Sequence, residues 1–236
     1  MENTGILDHT HSASDQAPAQ LQGLIFDLDG VIVDTAHFHF LAWQRLGADL
    51  GVEIGPEENE SLKGLSRKDS LQVILDLGNV EMEESEKERQ AARKNEWYKE
   101  YITSLNPGDI LPGVMDFIHA CRAEGLKLGI GSSSKNAKTI LKYIGLSDFF
   151  DAVADGTDIS KGKPDPEIFL TAASRLGLEP HACMVLEDAE SGVEAAHRAG
   201  MKCIGYGTPE KLQKADLLLD SFNGFGPAEA RELFKK

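Results

Sequence analysis

The sequence is poor in cysteine and in basic residues and has no long apolar run, and each shortage excludes a class of protein. Cys121, Cys183 and Cys203 form no C-x-x-C pair, and each lies in an apolar segment typical of a buried, reduced thiol. Only 24 Lys and Arg face 39 Asp and Glu, a net charge of −15, which would repel nucleic-acid phosphates and anionic membrane surfaces. No run approaches the roughly 20 apolar residues of a spanning helix, and the first residues lack the pattern of a signal peptide. The sequence therefore predicts a cytoplasmic protein with no nucleic-acid or membrane partner.

The remaining composition is that of a globular protein large enough to bury a core. Its 236 residues are 41% hydrophobic and 27% charged, which is an ordinary balance for a water-soluble fold. This length predicts one large domain, or one domain with a sizeable insertion. Residues 1–20 are polar and without periodicity, so we expect a flexible tail there and assign it no role.

The order of helical and strand patterns predicts an interrupted α/β fold. A short apolar strand at residues 24–26 is followed by residues 35–105, whose apolar positions recur at helical spacing and which include no convincing strand. After the turn signals of NPGDILPG, helices alternate with short buried strands as far as ADLLLD, residues 215–220. This predicts a doubly wound parallel-sheet, Rossmann-like core made of residues 21–34 and 106–236, with an inserted all-helical cap at 35–105. A cleft should open between the two.

Two of the predicted strand ends carry residues suited to phosphate chemistry. Ligands of open α/β sheets bind beyond the carboxyl ends of the strands. The first strand is followed by Asp27 and Asp29, whose carboxylates should reach one small volume; a turn or helix cap is the alternative. The second ends in GSSSKN, residues 131–136, where hydroxyls and backbone N–H groups can hold a phosphate; a serine N-cap is the alternative.

Two further strand ends supply charges. Lys163 lies in GKPDPEIF, where an exposed lysine beside a proline turn is the alternative interpretation. Glu187 and Asp188 follow the apolar run CMVL directly, so that burial of unpaired carboxylates would be costly. A divalent cation would remove that cost.

Taken in order, the four ends resemble the motif set of the haloacid dehalogenase superfamily of phosphoryl-transfer enzymes. The resemblance implies that Asp27 is the nucleophile that forms an aspartyl-phosphate and Asp29 the general acid/base, with Ser132 in the catalytic set. It also implies Mg²⁺ held by Asp27, the backbone carbonyl of Asp29, Glu187 and Asp188. Lys163 then balances part of the carboxylate charge, and the N–H groups at Ser132 and Ser133 supply further positive potential.

Within that superfamily, residues 21–220 are similar to the β-phosphoglucomutase family, through DLDGVIVDTAHFHFLAW, LKGLSRKDSL, RKN, SSSKN and KPDPEIF. The resemblance places His39 and Trp43 on the cleft side of the first cap helix, although packing inside the cap is the alternative for both. It implies a specificity loop and sugar or phosphate contacts, made by Gly64, Leu65, Ser66, Arg67, Lys94, Ser133, Ser134, Lys135 and Asn136. Arg67 should grip the phosphate remote from Asp27, unless it is an ordinary surface residue at a helix start.

The resemblance thus implies a Mg²⁺-dependent mutase that interconverts β-D-glucose 1-phosphate and D-glucose 6-phosphate. Glucose 1,6-bisphosphate would be both the intermediate and the activator. The only partner would be a small sugar phosphate, and the protein would be a monomer. The alternative enzyme is a sugar-phosphate phosphatase with the same core, in which water accepts the phosphoryl group. A phospho-aspartate signalling module without turnover is the alternative from another class.

Overall fold

The computed structural model describes residues 20–235, so all but the last residue of the predicted tail at 1–20 lies outside the described residues. Six strands are present in the described range: β1 (Gly23–Phe26), β2 (Lys127–Gly131), β3 (Ala152–Ala154), β4 (Cys183–Glu187), β5 (Lys202–Tyr206) and β6 (Leu217–Leu219). The α-helices of the same range are α1 (Ala36–Leu50), α2 (Pro56–Ser61), α3 (Arg67–Leu77), α4 (Glu84–Tyr101), α5 (Val114–Ala123), α6 (Ala137–Tyr143), α7 (Glu167–Leu176), α8 (Glu190–Arg198) and α9 (Pro227–Lys235). Short 3-10 helices occupy Ile102–Ser104, Pro107–Asp109 and Pro180–Ala182.

The six strands form one parallel sheet in the order β3-β2-β1-β4-β5-β6, with β1 near its centre. Phe26, the last residue of β1, pairs in register with Ile130 of β2 and with Leu186 of β4. The three strands therefore end at the same sheet edge, and the residues that follow them come together. The predicted doubly wound parallel α/β fold is confirmed.

Helices cover both faces of the sheet, because successive side chains of a strand point to opposite sides. Leu24 and Phe26 of β1 belong to a buried cluster shared with α5 and α6, and the ring centroid of Phe26 lies 6.1 Å from that of Phe117. Ile25 points the other way, into a cluster formed mainly with α7 and α8. Burial on both faces fixes the strand that Asp27 and Asp29 follow.

Helices α1–α4 follow β1 and precede β2 in the chain, and they form a separate layer that is here termed the cap. The sheet and its other helices are termed the core. α1 packs along α4, burying Trp43 and Leu46 of α1 and Trp97 of α4. Gly51 ends α1 in the left-handed conformation, with φ of 73°, which favours glycine. The predicted boundaries of the cap at 35 and 105 stay predictions. The described part of the chain contains no helix with the length and apolar character needed to cross a bilayer.

Candidate active site

The ends of β1 and β4 bring an aspartate and a glutamate to the same buried point. The Asp27 amide donates a hydrogen bond to the Leu186 carbonyl at 2.9 Å, so Asp27 extends the ladder beside Glu187. Asp27 is 6% exposed and Glu187 is fully buried. Their burial means that their charges need partners inside the protein.

Lys163 is that partner, and it is buried rather than exposed. Its Nζ lies 2.6 Å from Asp27 Oδ1 and 2.5 Å from Glu187 Oε1, and its side chain has no exposed surface. Burial by itself would lower the pKa of Lys163, but the charges of Asp27 and Glu187 raise it above the usual value. The ammonium group is therefore retained between the two carboxylates.

Asp27, Glu187 and Asp188 form a carboxylate cluster whose ligand oxygens lie within 4.8 Å of one another. Burial raises the pKa of Asp27 well above its usual value, and burial together with the charge of Glu187 raises that of Asp188 to about 7. Lys163, and Lys63 at 3.8 Å from Asp188 Oδ2, offset only part of this negative charge. Such a surplus of clustered oxygen ligands fits a hard divalent cation.

Glycine at position 30 leaves room for this cluster. A Cβ atom there would lie 2.2 Å from Asp188 Oδ2, and Gly30 has a φ of 88°, in the region that favours glycine. Any side chain at this position would push Asp188 out of place.

Asp29 lies apart from the carboxylate cluster and is held by two hydroxyl groups. Thr35 Oγ1 donates to Asp29 Oδ1, and Ser132 Oγ lies 3.3 Å from Asp29 Oδ2. Burial raises the pKa of Asp29 even though both hydrogen bonds oppose the shift. A fixed carboxyl group whose pKa is moved toward neutrality is suited to proton transfer.

Thr35 was not among the predicted site residues. It precedes α1 in the N-cap position, yet its hydroxyl makes no cap hydrogen bond and reaches Asp29 instead. The threonine after the aspartate pair in DLDGVIVDT was the available signal, but a helix cap explains it equally well from the sequence.

The serine loop after β2 connects the core to the cap. The Ser134 amide donates to Ser132 Oγ at 3.1 Å, and Ser133 Oγ donates to the carbonyl of Gly64 in the cap at 3.2 Å. Asn136 Nδ2 donates to Asn95 Oδ1 of α4 at 2.8 Å. The cap therefore contacts the loop that is predicted to bind phosphate.

A buried lysine, Lys94, lies on the cap side. Lys94 Nζ is 2.9 Å from His39 Nδ1 and 4.2 Å from the ring centroid of Trp43. Burial, followed by the charge of nearby Arg67, lowers the pKa of Lys94 well below its usual value. Burial and the charge of Lys94 likewise lower the pKa of His39. An incoming anionic ligand would stabilise the charged forms.

A cavity of about 110 Å³ lies between cap and core, at the kind of junction where small-molecule sites form. The predicted residues that line it are Asp27, Asp29, His39, Trp43, Gly64, Leu65, Arg67, Lys94, Ser132, Ser133, Ser134, Lys135 and Asp188. Four predicted residues do not line the cavity. Lys163 and Glu187 lie behind Asp27, and Asn136 donates to Asn95. Ser66 is the N-cap of α3, and its hydroxyl accepts from the Asp69 amide at 3.2 Å. The lining residues not predicted are Gly30, Thr35, Ala36, Asn59, Leu62, Lys63 and Ser70.

A sequence profile of haloacid dehalogenase-like hydrolases matches residues 21–200. The chain belongs to this family. The chain is 43% identical, over 84% of its own length and 89% of the other, to a β-phosphoglucomutase of Bacillus subtilis. It is 32% identical to a fructose-1-phosphate phosphatase of Escherichia coli, over 77% of this chain and 94% of the other. The crystal structure of a β-phosphoglucomutase from Clostridium difficile superimposes with a TM-score of 0.87 and 41% identity, covering 91% of this chain and 97% of the other.

These comparisons confirm the predicted membership of the family, as well as the resemblance to β-phosphoglucomutases within it. A mutase and a phosphatase are both similar to this chain over most of its length.

Proposed function

We propose that the protein is a Mg²⁺-dependent mutase that interconverts β-D-glucose 1-phosphate and D-glucose 6-phosphate through glucose 1,6-bisphosphate. The observation that carries this proposal is the cavity between cap and core, which Asp27 and Asp29 line together with Arg67 of the cap. The β-phosphoglucomutases at 41% and 43% identity support the choice of substrate.

Asp27 is the proposed nucleophile. A carboxylate oxygen of Asp27 forms a bond to phosphorus, and the bond from phosphorus to the sugar oxygen breaks. Asp29, positioned by Thr35 and Ser132, gives its proton to the departing sugar oxygen and takes one from the attacking hydroxyl in the reverse step. Lys163 keeps the Asp27 side chain oriented and balances charge.

Mg²⁺ is the ion we assign to the carboxylate cluster, held by Asp27, Glu187 and Asp188 together with the backbone carbonyl of Asp29. The three side chains fit it because they are hard oxygen ligands, largely buried, and only partly compensated by lysines. When bound, the ion would neutralise negative charge on the transferring phosphoryl group.

The remote phosphate is assigned to the far side of the cavity. Arg67 can present a guanidinium fork to its oxygens, and Ser134, Lys135 and Lys94 line the same space. Asn136 and Ser66 would then order the two loops that carry these groups, through the bonds to Asn95 and to the Asp69 amide. A bisphosphate could bind there in either orientation, as a mutase requires.

The second candidate is a sugar-phosphate phosphatase, favoured by relatives such as the fructose-1-phosphate phosphatase at 32% identity. The cap contacts favour the mutase, because the hydrogen bonds of Ser133 to Gly64 and of Asn136 to Asn95 hold the cap against the core beside a cavity from which a mutase must exclude water. Activation by glucose 1,6-bisphosphate and a monomeric state stay predictions.

One assay separates the two candidates. The purified protein is given β-glucose 1-phosphate, Mg²⁺ and a trace of glucose 1,6-bisphosphate, and glucose 6-phosphate and inorganic phosphate are measured in the same sample. We expect isomerisation with little phosphate release. Arg67→Ala should cut isomerisation by about a hundredfold, the order expected for hydrogen bonds to a charged group, while hydrolysis of the phospho-enzyme persists.

Lys68→Ala is the matched control, since Lys68 follows Arg67 on α3 but is 73% exposed and pairs with Glu84 at the surface. It should leave both products unchanged. Phosphate release equal to substrate consumed by the unmutated protein would favour the phosphatase, and an unaffected Arg67→Ala variant would remove Arg67 from the phosphate site.

A further inference from the structure

Lys211, which lies between β5 and β6, makes an ion pair from the core to the cap outside the cavity. Its Nζ is 2.8 Å from Glu60 Oε1, on helix α2 of the cap. Lys211 does not line the cavity and belongs to none of the motifs that identify the family. The Lys211–Glu60 ion pair therefore joins core and cap without taking part in the proposed chemistry.

The ion pair continues toward the carboxylate cluster. The same Glu60 oxygen lies 3.4 Å from Lys63 Nζ, and Lys63 reaches Asp188 Oδ2 at 3.8 Å. Four charges of alternating sign thus run from Lys211 through the cap to Asp188. Burial opposes ionisation of Glu60, but the hydrogen bond from Lys211 and the charge of Lys63 lower the pKa of Glu60, which keeps it charged.

This arrangement connects the position of α2 to the reacting end of the cavity. If the cap moves away, Glu60 leaves Lys211 and Lys63 leaves Asp188, because both cap residues lie within one stretch of α2 and the loop that follows it. Lys63 and Gly64 are adjacent in sequence, and the Gly64 carbonyl accepts from Ser133. The Lys211 contact therefore lies beside the loop that joins cap and core through Gly64 and Ser133.

We propose that Lys211 is a positioning residue that holds the cap closed through Glu60 and so limits transfer of the phosphoryl group to water. This inference rests on the proposed mutase function. Because the Lys211 and Glu60 side chains are 52% and 37% exposed, the pair is a partly solvated one. Removing it should raise the ratio of open to closed cap by about twofold to fivefold, the upper part of the range measured for exposed ion pairs.

The test is a double-mutant cycle of Lys211→Gln and Glu60→Gln. For each variant we measure the ratio of inorganic phosphate to glucose 6-phosphate formed. Lys211→Gln should raise this ratio about twofold to fivefold in the unmutated background and leave it unchanged in the Glu60→Gln background. Equal effects in the two backgrounds would overturn the proposal.

Lys214→Gln is the matched control. Lys214 lies three residues further along the same segment, is 59% exposed and pairs with Glu190 of α8, so that its ion pair stays inside the core. It removes the same charge without touching the cap and should leave the product ratio unchanged. If Lys214→Gln and Lys211→Gln behave alike, the effect is one of net charge and the proposal is wrong.

A second measurement does not depend on the substrate. Spin labels at Ser85→Cys on the cap and Glu179→Cys on the core, both exposed positions, report the distance between the two layers, since the native thiols are buried. Lys211→Gln should shift the distance distribution to longer values and Lys214→Gln should not. Should the unmutated protein fail to isomerise, the proposed function fails, and this distance measurement alone upholds or overturns the role of Lys211.

Discussion

Replacing Lys163 by Met tests the description of the buried charges most directly. The ammonium group bridges Asp27 and Glu187 at 2.6 and 2.5 Å with no exposed surface on its side chain. Methionine has a similar length and no charge. The variant would therefore keep the packing while leaving two buried carboxylates without their shared partner.

The expected cost is about 3–5 kcal/mol in the free energy of unfolding, the range for removing one partner of a buried ion pair. The cost should depend on pH. Burial already raises the pKa of Asp27, and that of Asp188 is about 7, so both bind protons more tightly in the folded than in the unfolded chain. The charge of Lys163 lowers both pKa values, so its removal raises them further. Stability that comes from a raised pKa in the folded state is lost as pH rises through that pKa, so the deficit of Lys163→Met should be larger near about pH 8 than near about pH 5.5.

Mg²⁺ should reduce the deficit as well. A ligand that binds only the folded state at about 100 times its Kd adds about 2.7 kcal/mol to stability. With Lys163 removed, the carboxylate cluster is more negative and should bind the ion more tightly, so the variant gains more from Mg²⁺ than the unmutated protein does.

The assay is urea unfolding followed by circular dichroism, with and without Mg²⁺, at the two pH values. Lys161→Met is the control, because Lys161 is 72% exposed and reaches Asp165 only at 3.7 Å; it should change stability by less than about 0.5 kcal/mol. A Lys163→Met variant as stable as this control without Mg²⁺ at the higher pH would refute the reasoning, since the buried carboxylates would then need no partner.

Three further predictions follow from the site. Asp27→Asn should abolish formation of the phospho-enzyme, detected by mass spectrometry after substrate addition, without changing the circular dichroism spectrum, because the amide is nearly isosteric but cannot accept a phosphoryl group. Asp29→Asn should keep Mg²⁺ affinity, measured by titration calorimetry, and lose about 10²- to 10⁴-fold in kcat; lost affinity with kcat retained would mean that its side chain is a metal ligand. Burial raises the pKa of Cys183 to about 11, that of Cys121 to about 12 and that of Cys203 well above its usual value. A thiol reagent near about pH 8 should therefore modify the three cysteines quickly only after unfolding. Rapid modification of the native protein would contradict their burial.

The fold and the strand-end residues of the cavity were predictable from local patterns, whereas the predicted cap residues of its lining came from the family resemblance. Apolar strands followed at once by Asp27, Ser132 or Glu187 are visible in the sequence, and parallel strands must bring such residues to one edge. The absence of strand patterns from residues 35–105 likewise indicated a helical insertion. The C-terminal helix α9 was not predicted from its short sequence.

The sequence by itself determined which chemical groups the chain carries, the spacing that places them at strand ends, and the family to which the chain belongs. The tertiary structure alone decided their partners. Thr35 resembles a helix cap in sequence but bonds Asp29, and Lys63 reaches Asp188 from the cap. The sequence does not distinguish Lys211 from Lys214, yet Lys211 pairs with the cap and Lys214 with the core. The physical reason is that an ion pair or a hydrogen bond depends on distances of a few ångströms between segments far apart in the chain, which no local pattern records.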